Sequence, residues 1–411
     1  MKVTKNKYFI FFLIIITIFY LLYSNLIYDY FVPQDKTKYL GLFRDWIITL
    51  NDTYCEIQTI NYDCRPFQSG PILIYLPFPN FLKSFYYLIV PNLSIILFVI
   101  TIFFIFAKYF SKNKFLIFCI IFSPTSLLAL ERGNLDLHLF LIAFLISYNK
   151  FFYINLFLIS FSFLLKYYPI TFFINLFTEK KKSKKFILIL FILSLFSSIL
   201  FIFYHYKIFL DLIYNLDNSK AGYHFIYSIK SIAKVLRYLF SLNYIILLLI
   251  TYIFFIFTIY KLIKFIYKTN LDKIVSIYSF EEKLFLIGAN TSLFAYLVFS
   301  NVYYREVFLI LCIPFILKLK EKLKLLKIFR IIIYLIIFRY LFLHIHNYTL
   351  LTENHFHIEG VRIFNKSFIL TLFIKSLLDY FFMALISSLL FFQNKKIINS
   401  FLNLKKKFKI K

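Results

Sequence analysis

ERGNLD, residues 131–136, places three charged side chains within six positions of an otherwise apolar region. The apolar runs 115–130 and 137–148 lie directly before and after it. Charged side chains between two membrane-competent segments are costly unless they lie at an interface or in a water-filled cavity, so such clusters are functional-site candidates. The stretch therefore predicts a turn between two spans and a site at that turn.

The composition is that of a membrane protein. Of 411 residues, 61% are hydrophobic and 23% aromatic, and the mean hydropathy is +0.79, whereas soluble proteins are nearer half apolar. We expect an all-α fold, a polytopic transmembrane helical bundle of about 10–12 spans, with residues 1–411 forming a single integral membrane domain. The net charge of +28 is attributed to positive inner loops and contact with anionic membrane lipids, and no nucleic-acid partner is expected.

The distribution of Lys and Arg predicts the orientation. If the N-terminus is cytoplasmic and successive spans cross in alternating directions, the basic runs 180–185 and 318–327 lie on the cytoplasmic side, as the positive-inside rule requires. Both termini are then cytoplasmic, in a protein predicted for the bacterial inner (plasma) membrane. The segments 137–149 and 169–178 are too short to cross about 30 Å of hydrocarbon, so we expect broken helices lining a cavity. The predicted spans are 8–28, 85–107, 115–130, 137–149, 151–165, 169–178, 186–205, 242–265, 284–299, 306–317, 328–345 and 368–392.

The first extracytoplasmic loop, residues 29–84, is long and carries several candidate site residues. Within it, 38–50 has the apolar periodicity of an amphipathic helix lying in the membrane interface, with Asp45 on a different face. Cys55 and Cys64 share the same loop, and an extracytoplasmic location would permit a disulfide between them.

Other charged segments are given simpler interpretations. A second large outer loop, residues 206–241, either covers the cavity or lies only at the interface. Lys375 and Asp379 are four residues apart in the last predicted span and are expected to neutralise each other. No metal is predicted, because the four histidines between 344 and 357 follow no firm metal-binding spacing.

Several segments resemble a known family of membrane enzymes. ERGNLDLHLFLIAFL (131–145), followed by SFLLKYYPITFF (162–173), resembles glycosyltransferase family 87, a bacterial mannosyltransferase-like group with the GT-C fold. NVYYREVFLILCIPFIL (301–317) is similar to the family's later Tyr-Arg span. FRDWIITLND through DCRPFQSGPILIYLP, within 43–77, is similar to its first extracytoplasmic loop, which carries an essential Asp. The resemblance covers most of 1–320 and implies a polyprenyl-phosphate-sugar-dependent glycosyltransferase.

Sugar transfer from a lipid phosphate assigns roles to these residues. A carboxylate must take a proton from the acceptor hydroxyl, for which Asp45 is the first choice and Asp63 and Asp136 are the alternatives. Cations must stabilise the departing phosphate, Arg by bidentate contact and Lys as a point charge. The predicted phosphate-binding cations are Arg132, Lys166 and Arg305. The predicted sugar- or acceptor-binding residues are Glu131, Asn134, Asp136, Asp63, Tyr168 and Tyr304.

Two of these carboxylates have a second predicted role. Glu131 and Asp136 are expected either to orient Arg132 or to bind sugar hydroxyls. The sequence contains no Gly-rich nucleotide-binding loop, which agrees with a lipid-linked donor. With cations available for the phosphate, no metal and no other cofactor is expected.

The function predicted from the sequence is an inverting glycosyl transfer on the outer face, with mannose as the first candidate sugar. The donor is a polyprenyl-phosphate-linked sugar, and the acceptor is a lipid-linked or envelope glycan. Two alternatives stay open. One is a polysaccharide polymerase or ligase that uses a lipid-diphosphate donor. The other is a membrane transporter or flippase, which would place ionisable residues near mid-membrane on several spans.

Overall fold

A computed structural model of the chain is an all-α bundle, which confirms the predicted fold class. Its β structure, within the described residues, is limited to two short antiparallel pairs: β1 (Ile226–Tyr227) with β2 (Asn301–Val302), and β3 (Phe356–Ile358) with β4 (Val361–Ile363). The structure describes residues 5–24, 26, 43, 89–110, 112–166, 168–178, 184–204, 226–268, 278–298, 301–322, 327–352, 356–358, 361–363 and 366–409.

Local sequence sets the helix boundaries in the first half. The Ser123 side chain accepts from the Ser126 N–H, and Pro124 occupies the first turn, where its missing N–H is not needed. The helices are α1 (Lys5–Tyr23), α2 (Val90–Phe106), α3 (Lys114–Ile121), α4 (Pro124–Arg132), α5 (Leu135–Tyr148), α6 (Phe152–Leu165), the first 3-10 helix (Tyr168–Thr178) and α7 (Lys184–Tyr204).

The second half contains longer helices. The Asn243 side chain accepts from the N–H groups of Ile245 and Ile246 and so begins a 24-residue apolar helix. The helices are α8 (Lys230–Phe240), α9 (Tyr244–Tyr267), α10 (Phe280–Val298), the second 3-10 helix (Tyr303–Cys312), α11 (Ile313–Lys322), α12 (Lys327–Thr352) and α13 (Lys366–Lys409).

Four stretches of the described chain are long and apolar enough to cross a membrane: Lys114–Arg132, Tyr244–Tyr267, Arg330–Thr349 and Ser367–Asn399. The first of them combines α3 and α4 across the turn at Ser123. Further apolar helices are shorter, including α2, α5, α6 and the first 3-10 helix. Fold and composition together define a helical, multi-pass membrane protein, and the count of 10–12 spans stays a prediction.

Two predicted membrane segments have a geometry that the sequence did not indicate. Residues 169–178 lie in a 3-10 helix of 11 residues, and most of 306–317 lies in a second one of 10 residues. Such runs rarely exceed three or four residues. At about 2.0 Å rise per residue, the first is about 22 Å long, shorter than the hydrocarbon core of about 30 Å. Within the predicted outer loop 206–241, the last part forms α8.

Helix α10 is the central packing element of the bundle. It contacts both 3-10 helices, α5, α11 and α13. The second 3-10 helix approaches it at Gly288, where an added Cβ would lie 2.6 Å from the Phe308 carbonyl oxygen and 2.8 Å from Leu311 Cβ. Only glycine permits this close contact, which places the residues around Arg305 against the core.

The two ends of the bundle carry different charged groups. The ring of Tyr148, at the end of α5, packs edge-on to Phe280 at the start of α10 with centroids 6.0 Å apart. Near Phe280, Lys318 Nζ lies 3.2 Å from Glu282 Oε1, and Lys108 Nζ lies 3.8 Å from Glu281 Oε1. The sequence predicts one common side for these basic segments, and the structure groups them at one end. Which membrane face this end meets stays a prediction.

Candidate functional site

The stretch at 131–136 forms a tight interhelical turn whose geometry is set by two residues. Gly133 ends α4 in a left-handed conformation, with φ of 57°, which glycine adopts without steric cost. The Asn134 side chain then accepts from the Asp136 N–H at 3.0 Å and caps α5. The turn therefore holds Asp136 in the first turn of α5, where the helix dipole favours a carboxylate.

The centre of the site is the carboxylate of Asp136, which is completely buried. Lys166 Nζ donates to its Oδ1 at 2.6 Å, and Arg305 Nε lies 3.3 Å from its Oδ2. The Tyr168 hydroxyl donates to the same Oδ1. Three separate elements thus meet at one carboxylate, because Lys166 directly follows α6, Tyr168 begins the first 3-10 helix and Arg305 lies in the second.

The ring of Tyr168 organises both cations. Lys166 Nζ lies 5.9 Å and Arg305 Cζ 5.8 Å from the ring centroid, which is within the range of cation–π attraction. The ring itself packs edge-on against Phe308, with centroids 5.8 Å apart. Lys166 Nζ also donates to Asn134 Oδ1 at 3.2 Å. The two cations are therefore held by contacts from several sides.

A third cation completes the site. Arg132 Nε lies 3.1 Å from Glu131 Oε2. We use the name Asp136 cluster for Glu131, Arg132, Asp136, Lys166 and Arg305. Its two carboxylate side chains are 3% and 0% exposed, whereas the cations Arg132, Lys166 and Arg305 are 14%, 12% and 25% exposed. Among these five described side chains there are three cations and two carboxylates, and the cations are the groups that reach solvent. This arrangement suits the binding of an anion.

Phe43 connects the first predicted loop to the Asp136 cluster. Its backbone N–H donates to the Glu131 carbonyl at 2.9 Å, and the residue is completely buried. Its φ of 64° is rare for an aromatic residue and costs energy, so it persists only where surrounding contacts enforce it. A Cβ added at Gly133 would lie 3.1 Å from Phe43 Cδ1. The turn and the loop are thus fitted to each other at this point.

The structure brings together most of the predicted site residues. Glu131 contacts Arg132, one of the two roles predicted for it. Asp136 contacts Lys166 and Arg305 instead of Arg132, which corrects the predicted partner. A carboxylate held by two cations is a poor proton acceptor, which argues against Asp136 as the base.

Several predicted residues lie outside the described part of the chain. These are Asp45, Asp63, Cys55 and Cys64, so the base and the disulfide stay predictions. Tyr304 belongs to the second 3-10 helix, and its predicted role in binding sugar or acceptor stays a prediction.

A second charged group, which we call the Arg339 network, was not predicted as a unit. Arg339 Nη2 contacts Glu306, and Arg339 Nε donates to Asp379 Oδ1 at 2.7 Å. Lys375 Nζ lies 3.2 Å from Asp379 Oδ2, so the predicted Lys375–Asp379 pair forms but has a further partner. Glu306 also accepts from the Thr125 hydroxyl at 3.3 Å. All four ionised side chains are at most 2% exposed.

One sequence signal could have identified this network. Arg339 lies inside an apolar run, and a cation at that depth requires a carboxylate partner. Glu306 follows Arg305 directly and begins the predicted span 306–317, and its pairing with a residue 33 positions away was missed. The two charged groups are therefore joined through one peptide unit of the second 3-10 helix.

Within the described ranges, no group of three or more His, Cys, Asp or Glu side chains could hold a metal ion. Comparison of the chain with protein-family models, with curated proteins and with solved structures finds no match. The site is therefore interpreted from its own geometry.

Proposed function

We propose that the protein is a membrane glycosyltransferase that moves a single sugar from a polyprenyl-phosphate donor to a lipid-linked or envelope glycan acceptor. The observation that supports this most is the Asp136 cluster, in which three partly exposed cations surround buried carboxylates. A lipid phosphate is an anion confined to the membrane, and such a cluster in a multi-pass protein suits it. Mannose is the first candidate sugar, and the reaction is proposed for the outer face.

The cations act on the leaving group. As the bond between the sugar C1 and the phosphate oxygen breaks, negative charge grows on that oxygen. Preorganised cations in a site with little water stabilise this charge, and removing one such donor typically costs about 100- to 1,000-fold in rate. Lys166 and Arg305 are held in place by Asp136 and Tyr168, so little reorganisation is required during the reaction.

Asp45 is the proposed base. The acceptor hydroxyl oxygen attacks C1 from the face opposite the phosphate, its proton passes to the Asp45 carboxylate, and the configuration at C1 inverts. The contact between Phe43 and the 131–136 turn supports this role, because it holds the chain two residues before Asp45 against the turn that carries Arg132 and Asp136. General-base catalysis contributes about 100- to 10,000-fold in rate.

A transporter or flippase is the second candidate, favoured by the Arg339 network. Ionisable side chains from the second 3-10 helix, α12 and α13 meet there inside the bundle. Buried intramembrane charges often mark ion or substrate pathways. The network is charge-balanced and sealed, however, and its members contact one another. Those properties fit a structural role better than a pathway, so we place this candidate second.

The test is donor-dependent transfer by the purified protein in liposomes. Radiolabelled polyprenyl-phosphate mannose is supplied with a membrane glycolipid extract, and the label is followed into new lipid or glycan products. We expect transfer by the wild type and a loss of about 1,000-fold in Asp45→Asn at unchanged protein level. Asp52→Asn, in the same loop, is the matched control and should retain activity. Full activity of Asp45→Asn would remove Asp45 from the role.

The same assay with a set of different lipid-linked sugar donors distinguishes the candidate functions. Transfer from other lipid-monophosphate sugars, with mannose inactive, would keep the enzyme class and change the sugar. Activity only with a lipid-diphosphate oligosaccharide would identify a polymerase or ligase. If every donor is inactive while the lipid itself moves between leaflets, the transporter reading replaces the proposal.

A further inference from the structure

Helix α8 lies next to a candidate membrane span at a fixed position. Only residues 241–243 separate its end from the start of α9 at Tyr244, so its end lies within about 14 Å of that span. The segment before α8 is anchored to the bundle, because the Ile229 N–H donates to the Tyr296 carbonyl at 3.1 Å. Pairing of β1 with β2 adds a second anchor, a few residues before Arg305.

One side of α8 is buried against the bundle. Val235 forms a small apolar cluster with Phe368, Ile369 and Leu372 of α13. The end of α8 is different, because Tyr238, Leu239 and Phe240 are 53%, 48% and 63% exposed. Exposed aromatic and aliphatic side chains beside a span suit contact with lipid at the membrane boundary.

A basic stripe runs along the same helix. Lys230, Lys234 and Arg237 are spaced by four and three residues, which places them on one side of α8. No acidic residue occurs anywhere between 218 and 271, so the stretch of sequence that contains α8 carries only basic charged residues. A helix that combines basic residues with an exposed apolar end, next to a span, has the features that bind acidic lipid headgroups.

We propose that α8 is an interfacial helix that binds anionic phospholipid through the headgroup phosphate. Lys230, Lys234 and Arg237 contact the phosphate, and the side chains at the end of α8 enter the boundary between headgroups and acyl chains. The proposal does not depend on glycosyl transfer, since it concerns the lipid that surrounds the protein and not the substrate.

The experiment measures which lipid lies next to the end of α8. Trp46 is the only tryptophan of the chain, so the variant Trp46→Phe/Phe240→Trp reports from position 240 alone. The full-length protein is placed in nanodiscs of phosphatidylcholine and phosphatidylglycerol at equal amounts, with bromine on the acyl chains of one or the other. Local enrichment is read from the ratio of fluorescence quenching. We expect brominated phosphatidylglycerol to be enriched about fivefold.

Two variants with neutralised basic residues test whether the charges of α8 cause the enrichment. Replacing Lys230, Lys234 and Arg237 by Gln should reduce the enrichment to about onefold. The matched control replaces Lys261, Lys264 and Lys268 by Gln, three basic residues at the opposite end of α9, about 30 Å away along the helix. That control should leave the enrichment at position 240 unchanged. Equal quenching by both lipids in the parent protein would overturn the proposal, as would an enrichment that survives neutralisation of α8.

Salt dependence gives an answer even if the α8 variant fails to fold. In the parent protein, raising NaCl from about 0.05 M to about 0.5 M shortens the screening length severalfold and should remove most of the enrichment. An enrichment that does not respond to salt would contradict electrostatic binding. Loss of the enrichment on adding inorganic phosphate at constant ionic strength would assign a soluble phosphate site instead and overturn the lipid assignment.

Discussion

The Asp136 cluster and the Arg339 network are joined through the peptide unit between Arg305 and Glu306, yet they differ in exposure and in charge balance. The Arg339 network contains two cations and two carboxylates, all of them buried. The Asp136 cluster contains one more cation than carboxylates, and its cations reach solvent. Side chains that are at most 2% exposed are not accessible to a ligand from solvent, whereas partly exposed cations are. The difference assigns stability to one region and anion binding to the other.

The largest expected effect follows from Arg339→Met. The change leaves two buried carboxylates with only Lys375 as a partner, and breaking a buried ion network in this way typically costs about 3–5 kcal/mol. We expect a strong fall in the midpoint of thermal unfolding and in the yield of monodisperse protein. Arg330→Met, at an exposed position of the same helix, is the control and should leave both unchanged.

Replacing the whole network sharpens this prediction. Met at positions 339 and 375, with Gln at 306 and Asn at 379, removes every charge together. Replacing a complete buried ion group by uncharged side chains is often nearly neutral, so this variant should unfold at a higher temperature than Arg339→Met. If Arg339→Met is as stable as the wild type, the network does not have the structural role assigned to it.

Gly133→Ala tests the Asp136 cluster, and its expected effect is of intermediate size. The left-handed φ costs about 1–2 kcal/mol for a residue with a Cβ, and the new methyl would press on Phe43. We expect a modest loss of stability together with a loss of transfer, because Phe43 connects the predicted Asp45 loop to the cations.

The double variant Gly133→Ala/Phe43→Ala tests whether transfer requires the contact between Phe43 and the 131–136 turn. It removes the contact with the ring at 3.1 Å but keeps the contact with the Cβ of residue 43 at 3.2 Å and the backbone cost, and it also removes a buried aromatic ring. Transfer should therefore stay low in both variants. Full activity of the double variant would show that the loop does not need this contact.

Tyr168→Phe is expected to have the smallest effect. It removes one hydroxyl from Asp136 and keeps the ring that faces Lys166 and Arg305, so transfer should fall about three- to tenfold, corresponding to about 1 kcal/mol. Tyr252→Phe is the control, because its hydroxyl also donates one hydrogen bond, at 2.5 Å to the Leu297 carbonyl, away from the cluster. Equal losses of transfer in both variants would argue against a role of Tyr168 at the site.

Sequence reasoning reached the Asp136 cluster because its members are charged residues at the ends of apolar runs. Arg132, Asp136, Lys166 and Arg305 are conspicuous for that reason, and their common location follows from alternating spans. Their pairing could not be predicted, because it depends on the 3-10 geometry that brings Tyr168 and Arg305 to α5. No residue pattern distinguishes those segments from short α-helices.

Other features required tertiary structure. Phe43 lies within 38–50, which the sequence predicts as an amphipathic helix, but its left-handed backbone is not helical, so the prediction is wrong at this residue; contacts from the 131–136 turn enforce that conformation. Glu306 was recognisable as a carboxylate near a span, but its partner Arg339 is 33 residues away. The all-α fold, by contrast, follows from apolar composition alone, since helices satisfy their own backbone hydrogen bonds inside a membrane.

The central claim is that the Asp136 cluster binds the phosphate of a lipid donor. The most direct measurement is the equilibrium dissociation constant of a short-chain polyprenyl monophosphate for the wild type, Lys166→Met and Lys318→Met. The two lysines are closely matched: their side chains are 12% and 15% exposed, and both pair with carboxylates. They belong to clusters at opposite ends of α5, about 18 Å apart along that helix.

The claim predicts that Lys166→Met weakens binding about 10- to 100-fold, as expected for loss of a charged hydrogen bond. Lys318→Met should bind within about twofold of the wild type, because a charge at the far end of α5 lies beyond the screening length of about 8 Å. Equal affinity in all three proteins would contradict the claim, and so would the absence of saturable binding to the wild type.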